Sequence, residues 1–411
     1  MRRVSETPQQ RHNTLAFHDG ISMTDSAASE PDDPFAEIRP YSNLDAPEVV
    51  KRLSHDQELA ETIALWRLPR LTALLPALTR QMAKVWLRLA ARRLRTVDDL
   101  QNLIAPSLSR MIKRTSAFTV SGIDKLDLNA PRVYLSNHRD IVMDPAYANY
   151  ALRRAGANTL AIAIGDNLLS KPWVADLMRL NKSFVVKRNV SGPRALLAAT
   201  KLLSQYIRDS VSAGRDPIWI AHREGRAKDG CDLTEPAVIK MLTLSRERGE
   251  APEAVLAELN IVPLVISYEI DPCDALKAAE LAAGVGYVKA EFEDVSSIAR
   301  GITGDKGCVH LHFGEPLPAD LSVEEVVEAL DRHMAQHYRL YQTNRWAWEW
   351  LHGESVPGEV AFHEGSMTEE SFRARLESFP SEHQHWLLTM YANPVSRYMA
   401  LDAPEQDSPC D

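Results

Sequence analysis

Cysteine is scarce in this 411-residue chain, and its four copies, Cys231, Cys273, Cys308 and Cys410, show no CxxC spacing. That pattern argues against a paired-cysteine zinc site and a disulfide scaffold, and it predicts a reducing compartment. Long apolar runs are also missing. Spanning a bilayer takes roughly 18 to 20 uncharged apolar residues, and the best candidates, around Leu71 to Thr79 and Ala155 to Gly165, fall short. The opening MRRVSETPQQRHN has no apolar core behind its two arginines, so no secretory signal is expected. The expected location is the cytoplasm, with any membrane touched from its cytoplasmic face as a peripheral protein. Excess positive charge is absent too. A net charge of −9 argues against a nucleic-acid partner. What remains, 45% hydrophobic and 25% charged residues, is the composition of a foldable globular chain.

The text of the chain changes three times. Residues 1–47 mix Ser, Asp, Glu and Pro with few periodic apolar positions and read as a disordered tail. Residues 48–117 read as a helical region rich in Leu, Ala and Arg. Over 118–320, short β-rich runs (RVYLS, TLAIAI, SFVVKR, PIWIAH, NIVPLVIS, CVHLHFG) alternate with helical stretches such as Pro193 to Ala213 and Pro236 to Arg248. This alternation predicts an α/β fold with a largely parallel mixed sheet and helices on its faces. Residues 321–411 return to helix and end in a polar segment.

Acidic residues vanish between Glu61 and Asp98, where Arg67, Arg70, Arg80, Lys84, Arg88, Arg92, Arg93 and Arg95 accumulate among Leu, Ile, Trp66 and Trp86. Basic amphipathic helices with tryptophan suit an anionic membrane surface, so Trp66 to Arg95 is the expected contact. Packing on the α/β domain with a solvated basic face is the plainer alternative. Pro69 and Pro76 must break this stretch into pieces.

The most informative words are VYLSNHRDIVMDPAYANYALRR, Val133 to Arg154. His138-Arg139-Asp140 matches the HRD of a kinase catalytic loop, but the Gly-rich phosphate loop, strand lysine and DFG are missing. No GxSxG nucleophile is present either. His138 instead follows a strand at the end of a parallel sheet, where ligand crevices lie, and Asp144 follows six residues later. An imidazole can take a proton from an alcohol while a carboxylate behind it fixes its tautomer. The plain alternative for Asp144 is helix capping, since Asp followed by Pro145 is an ordinary helix start.

Three further blocks follow in order: NKSFVVKRN (Asn181 to Asn189), PIWIAHREGRAKDG (Pro217 to Gly230) and NIVPLVISYE (Asn260 to Glu269). Together the four resemble the blocks of the glycerolipid acyltransferases, the glycerol-3-phosphate and 1-acylglycerol-3-phosphate (lysophosphatidate) acyltransferases, over Asp124 to Pro316. The resemblance implies a fold like that of glycerol-3-phosphate acyltransferase. It also implies fatty acyl transfer from acyl-CoA or acyl-ACP to glycerol 3-phosphate in phospholipid biosynthesis, with no metal or bound cofactor. Lysophosphatidate or another lipid alcohol is the alternative acceptor, and a non-catalytic lipid-binding protein is the second alternative.

Residue by residue, His138 matches the catalytic base, Asp144 its orienting partner, and Phe184 and Arg188 the block that holds the acceptor phosphate. Glu224, Gly225 and nearby Arg226 match the third block, and Pro263 the fourth. Ser267 to Glu269 resembles the glycerol-3-phosphate branch. Arg139, Lys187, Arg188 and Arg226 are the side chains expected around a phosphate, because guanidinium binds it bidentately. Three departures mark a divergent subgroup. Five residues separate His138 from Asp144 where the family has four, which leaves Asp140 as a rival carboxylate, Arg226 follows Gly225 directly, and Lys182 stands where a glycine is common. His310 and His312 are close on one strand, but no third metal ligand is evident. The aromatic run Tyr338, Tyr341, Trp346, Trp348 and Trp350 suits packing against the N-terminal helices, or an interface belt.

Overall fold

A computed structural model describes residues 33–289 and 293–402. Residues 1–32 of the expected tail lie outside them, but residues 33–47 belong to the folded body. Ile38 is buried in the main core and its carbonyl accepts the N–H of Val185 at 2.8 Å. Arg39 closes ion pairs with Asp33 and Asp45. Phe35 packs on Tyr206 beside Ile38, so a few apolar residues with a strand to pair against fix this segment, which is why its polar composition misled.

Five helices follow: α1 (Ala46–His55), α2 (Gln57–Arg67), α3 (Pro69–Leu74), α4 (Pro76–Ala91) and α5 (Val97–Thr115). Pro69 and Pro76 each open a helix, the position where a missing N–H costs nothing. The break they impose is therefore real, and it folds the basic stretch back on itself. Thr96 starts α5 with a capping box to Asp99.

The described residues form one seven-stranded sheet: β1 (Ala117–Ser121), β2 (Val133–Ser136), β3 (Ala161–Gly165), β4 (Ser183–Val186), β5 (Ile218–Ala221), β6 (Val262–Tyr268) and β7 (Cys308–Phe313), in the order β1-β7-β6-β2-β5-β3-β4. Neighbours are parallel except β6 and β7. The sheet is thus mixed and largely parallel, as the alternation of runs predicts. β1 was not among the expected strands. It is an edge strand with a half-exposed AFTVS, too polar and short to stand out.

Helices α6 (Met143–Arg154), α7 (Pro172–Leu180), α8 (Pro193–Ser212), α9 (Pro236–Leu242), α10 (Pro252–Glu258), α11 (Asp274–Ala283) and α12 (Glu293–Thr303) complete the domain. Side chains on β2 and β5 divide by the period of two. Val133, Leu135, Ile218 and Ile220 enter one core, while Tyr134 and Trp219 enter the other. Both faces being covered, the central strands read as continuous apolar runs.

The last part holds α13 (Val323–His337), α14 (Gln342–His352), α15 (Glu369–Glu377) and α16 (Ser381–Met399). The aromatic run packs here, not on the N-terminal helices. Tyr338, Tyr341 and Trp348 are buried, and Trp350 stacks on Phe372 of α15 with ring centroids 5.6 Å apart. Among the described residues no helix is long and apolar enough to cross a membrane. Cys273 and Cys308 are free.

Candidate active site

Strand β2 ends at Ser136 and delivers His138 into a turn. The His138 Nδ1 lies 2.9 Å from Asp144 Oδ2, and the Asp144 side chain is 1% exposed. That same oxygen accepts the backbone N–H groups of Arg139 at 2.6 Å and Asp140 at 2.9 Å, and Oδ1 accepts the Tyr268 hydroxyl at 2.7 Å. Burial, followed by the Asp144 charge, pushes the Tyr268 phenol well above its ordinary range, so it remains a donor. Four donors around one carboxylate fix its position. The rival Asp140 has another task. Its Oδ1 accepts Val142 N–H at 3.0 Å and Met143 N–H at 2.8 Å, which starts α6. Capping and orienting are therefore split between two aspartates. The extra residue between His138 and Asp144 is absorbed by the turn that Asp140 caps.

The turn is anchored from behind. Asn137 donates to Ile266 O at 3.0 Å and accepts Ile266 N–H at 2.8 Å, joining the end of β2 to β6 by side chain. Arg139, expected at a phosphate, is 3% exposed and does not line the cavity. Its guanidinium donates to Asp232 at 3.0 Å and lies over the Tyr338 ring, while Lys277 donates to its carbonyl at 2.8 Å. It is corrected to a buried structural ion pair, and removing either partner would strand a charge in the core. Glu269 is likewise buried, accepting Cys308 N–H and Met367 N–H, both at 2.7 Å, and is a clasp for the C-terminal segment.

His138 opens onto a cavity of about 820 Å³ bounded by the carboxyl ends of β3, β4 and β5 and by α5 to α9. Its Nε2 makes no hydrogen bond among the described residues, and its ring meets the Trp219 ring edge to face at 5.5 Å. The third block is tied to the base directly, because Ala227 N–H donates to His138 O at 2.8 Å. Gly225 takes a φ of +72°, a left-handed turn that favours glycine and swings Arg226 to the cavity.

Lys187, Arg188 and Arg226 line this cavity, so three of the expected phosphate ligands converge. Arg188 pairs with Glu224 at 3.3 Å and Lys187 with Glu37. Phe184 is corrected in role. It is fully buried against Tyr206, ring centroids 5.1 Å apart, and forms apolar wall. Arg223, not expected, also lines the cavity, and its Nε together with Arg226 Nη1 is buried without a partner among the described residues. The signal was available: alternation along Trp219, Ala221, Arg223 sends all three the same way. Tyr268 carried no comparable signal. His222 is buried against Thr234 at 3.1 Å, and burial pushes it down to about 3, so it stays neutral. The expectation that His312 lacks further metal-ligating neighbours fails, since α13 brings His333 and His337 to it.

Residues 117–267 match the family model described as Acyltransferase. Among solved structures, the crystal structure of the 1-acyl-sn-glycerophosphate (LPA) acyltransferase PlsC from Thermotoga maritima is similar at 14% identity and a TM-score of 0.34, over 58% of this chain and 78% of that chain. No curated protein matches. The family resemblance is thus carried by residues 117–267, which match an acyltransferase domain and hold His138 and the first, second and third blocks.

Proposed function

We propose that this acyltransferase moves a fatty acyl group from an acyl thioester, acyl-CoA or acyl-ACP, to a hydroxyl of glycerol 3-phosphate. The observation that carries the reading is the His138–Asp144 contact beside a largely apolar cavity also lined by Lys187, Arg188, Arg223 and Arg226. His138 Nε2 takes the proton of the acceptor hydroxyl as its oxygen attacks the thioester carbonyl. Asp144 stabilises the imidazolium, which then returns the proton to the departing thiolate. A thioester leaves readily, so positioning and base catalysis suffice and no cofactor is invoked. Apolar side chains such as Ile104, Leu108, Val174 and Met178 supply a wall for the acyl chain.

The two unpartnered guanidinium nitrogens of Arg223 and Arg226 support a phosphorylated acceptor, because an anion would give each the partner it lacks. The Arg188–Glu224 pair supports a role for Glu224 in aiming Arg188.

Contact with an anionic membrane is part of this reading. Trp66, Leu74, Leu78 and Val85 on α2 to α4 are each more than half exposed, beside the arginines of the same helices. A second apolar cavity of about 260 Å³ under these helices shares Ile104 with the first, which suits lipid entry. Each basic residue near such a surface contributes about 1 kcal/mol.

The test is acyl transfer from labelled acyl-CoA and acyl-ACP to glycerol 3-phosphate and to lysophosphatidate, with anionic vesicles present. Turnover of glycerol 3-phosphate above lysophosphatidate supports the reading, and the reverse preference replaces the acceptor. Folded protein inactive with both acceptors and both donors contradicts it in favour of lipid binding without catalysis.

A further inference from the structure

Helix α13 carries His333 and His337 four residues apart, so both rings leave the same face. That face meets β7, where His312 stacks on His337 with centroids 4.1 Å apart and lies 5.3 Å from His333, and the two helix rings are 4.3 Å apart. One ring nitrogen from each of the three falls within 4.8 Å of the others. The Nε2 of His333 is buried without a hydrogen-bond partner among the described residues.

We propose that His312, His333 and His337 form a site for a first-row divalent cation of the zinc type, held by three imidazoles with the fourth position left to solvent. Tetrahedral zinc with bonds of about 2.0–2.1 Å sets its ligand nitrogens roughly 3.3 Å apart. The nitrogens now lie up to 4.8 Å apart, so metal binding must turn the rings and draw them together by about 1.5 Å. An all-imidazole set selects zinc, copper or nickel over calcium or magnesium, which demand oxygen.

Three features outside the cluster point the same way. The His312 Nδ1 is 2.8 Å from Ser121 Oγ, which is also 2.9 Å from His310 Nε2, and His310 Nδ1 is 2.8 Å from Thr119 Oγ1. This chain is satisfied when His312 donates from Nδ1 to Ser121, leaving the Nε2 lone pair for a metal, as outer hydrogen bonds do for ligating histidines. Gly314 leaves room for the ring of His333: a Cβ there would lie 2.6 Å from its Cε1 and 2.8 Å from its Nε2. Lys125, a cation near the cluster, is 3.5 Å from Glu315, which offsets its charge. None of the three lines the acyl cavity, so the cation ties α13 to the β1–β7 edge and takes no part in acyl transfer.

The test uses untagged full-length protein stripped with a chelator and dialysed against limiting Zn²⁺ or Co²⁺. The expected result is one equivalent of bound zinc per chain, tetrahedral visible absorption with Co²⁺, and a Tm raised by Zn²⁺. His333→Gln and His337→Gln each lower zinc affinity at least about 100-fold with the transfer rate unchanged, and Ser121→Ala lowers it about 10- to 100-fold. Where a histidine variant fails to fold, Gly314→Ala replaces it, its Cβ meeting the His333 ring first, with the Pro263 carbonyl 3.1 Å away. Its loss of zinc with an unchanged circular dichroism spectrum supports the site. Wild-type protein that retains no zinc, or variants that bind it as wild type does, overturns the proposal.

Discussion

His138 and the cluster of His312, His333 and His337 both stand on this sheet, and they differ in what touches their rings. His138 has a buried carboxylate at one nitrogen and a cavity at the other. The cluster has a serine hydroxyl at one ring, imidazoles at the others, and no carboxylate within the group. An imidazole serves as a base where a carboxylate waits to hold the imidazolium. Where imidazoles face only each other, protonating one raises the cost of protonating the next, and what they offer is lone pairs. On the two proposals, the same residue type would serve proton transfer at one end of the fold and a cation at the other.

The comparison breaks most visibly at the carboxylate. Asp144→Asn keeps the shape but lets the amide favour the wrong tautomer, and kcat is expected to fall on the order of 10²- to 10⁴-fold in a steady-state transfer assay. Arg226→Gln acts on the acceptor. KM for glycerol 3-phosphate should rise about 10- to 100-fold, while an uncharged alcohol acceptor is unaffected, because hydrogen bonds to a charged group contribute roughly 1.5–3 kcal/mol. Tyr268→Phe removes one of four donors from Asp144, and a drop of about 10-fold in kcat/KM is expected with the cavity intact. The smallest effect is a zero. Burial holds His222 down to about 3, so His222→Asn should leave the acid limb of the pH–rate profile where it is in wild type.

Much of this arrangement was legible before any coordinates. Runs such as RVYLS and PIWIAH named the central strands because burial on both faces leaves a continuous apolar word. The pairing of His138 with Asp144 survived an unfamiliar spacing, since a capped turn can take up one residue at little cost. What escaped was set by partners far along the chain. Arg139 looks like a phosphate ligand until Asp232, 93 residues away, claims it. Tyr268 reaches Asp144 from 124 residues away, with nothing local to mark it. His333 and His337 carry a helical spacing that only gains meaning once α13 is laid over His312. The aromatic run at the C-terminus was judged by composition, and its true neighbours, α15 and α16, follow it in the chain.

The central claim is that His138 is the base of an acyl transfer, and single-turnover transfer by His138→Ala tests it most directly. With loaded acyl-CoA and saturating glycerol 3-phosphate, the account predicts a rate lower by about 10²- to 10⁴-fold with donor binding retained. A variant that transfers the acyl group at the wild-type rate would contradict it.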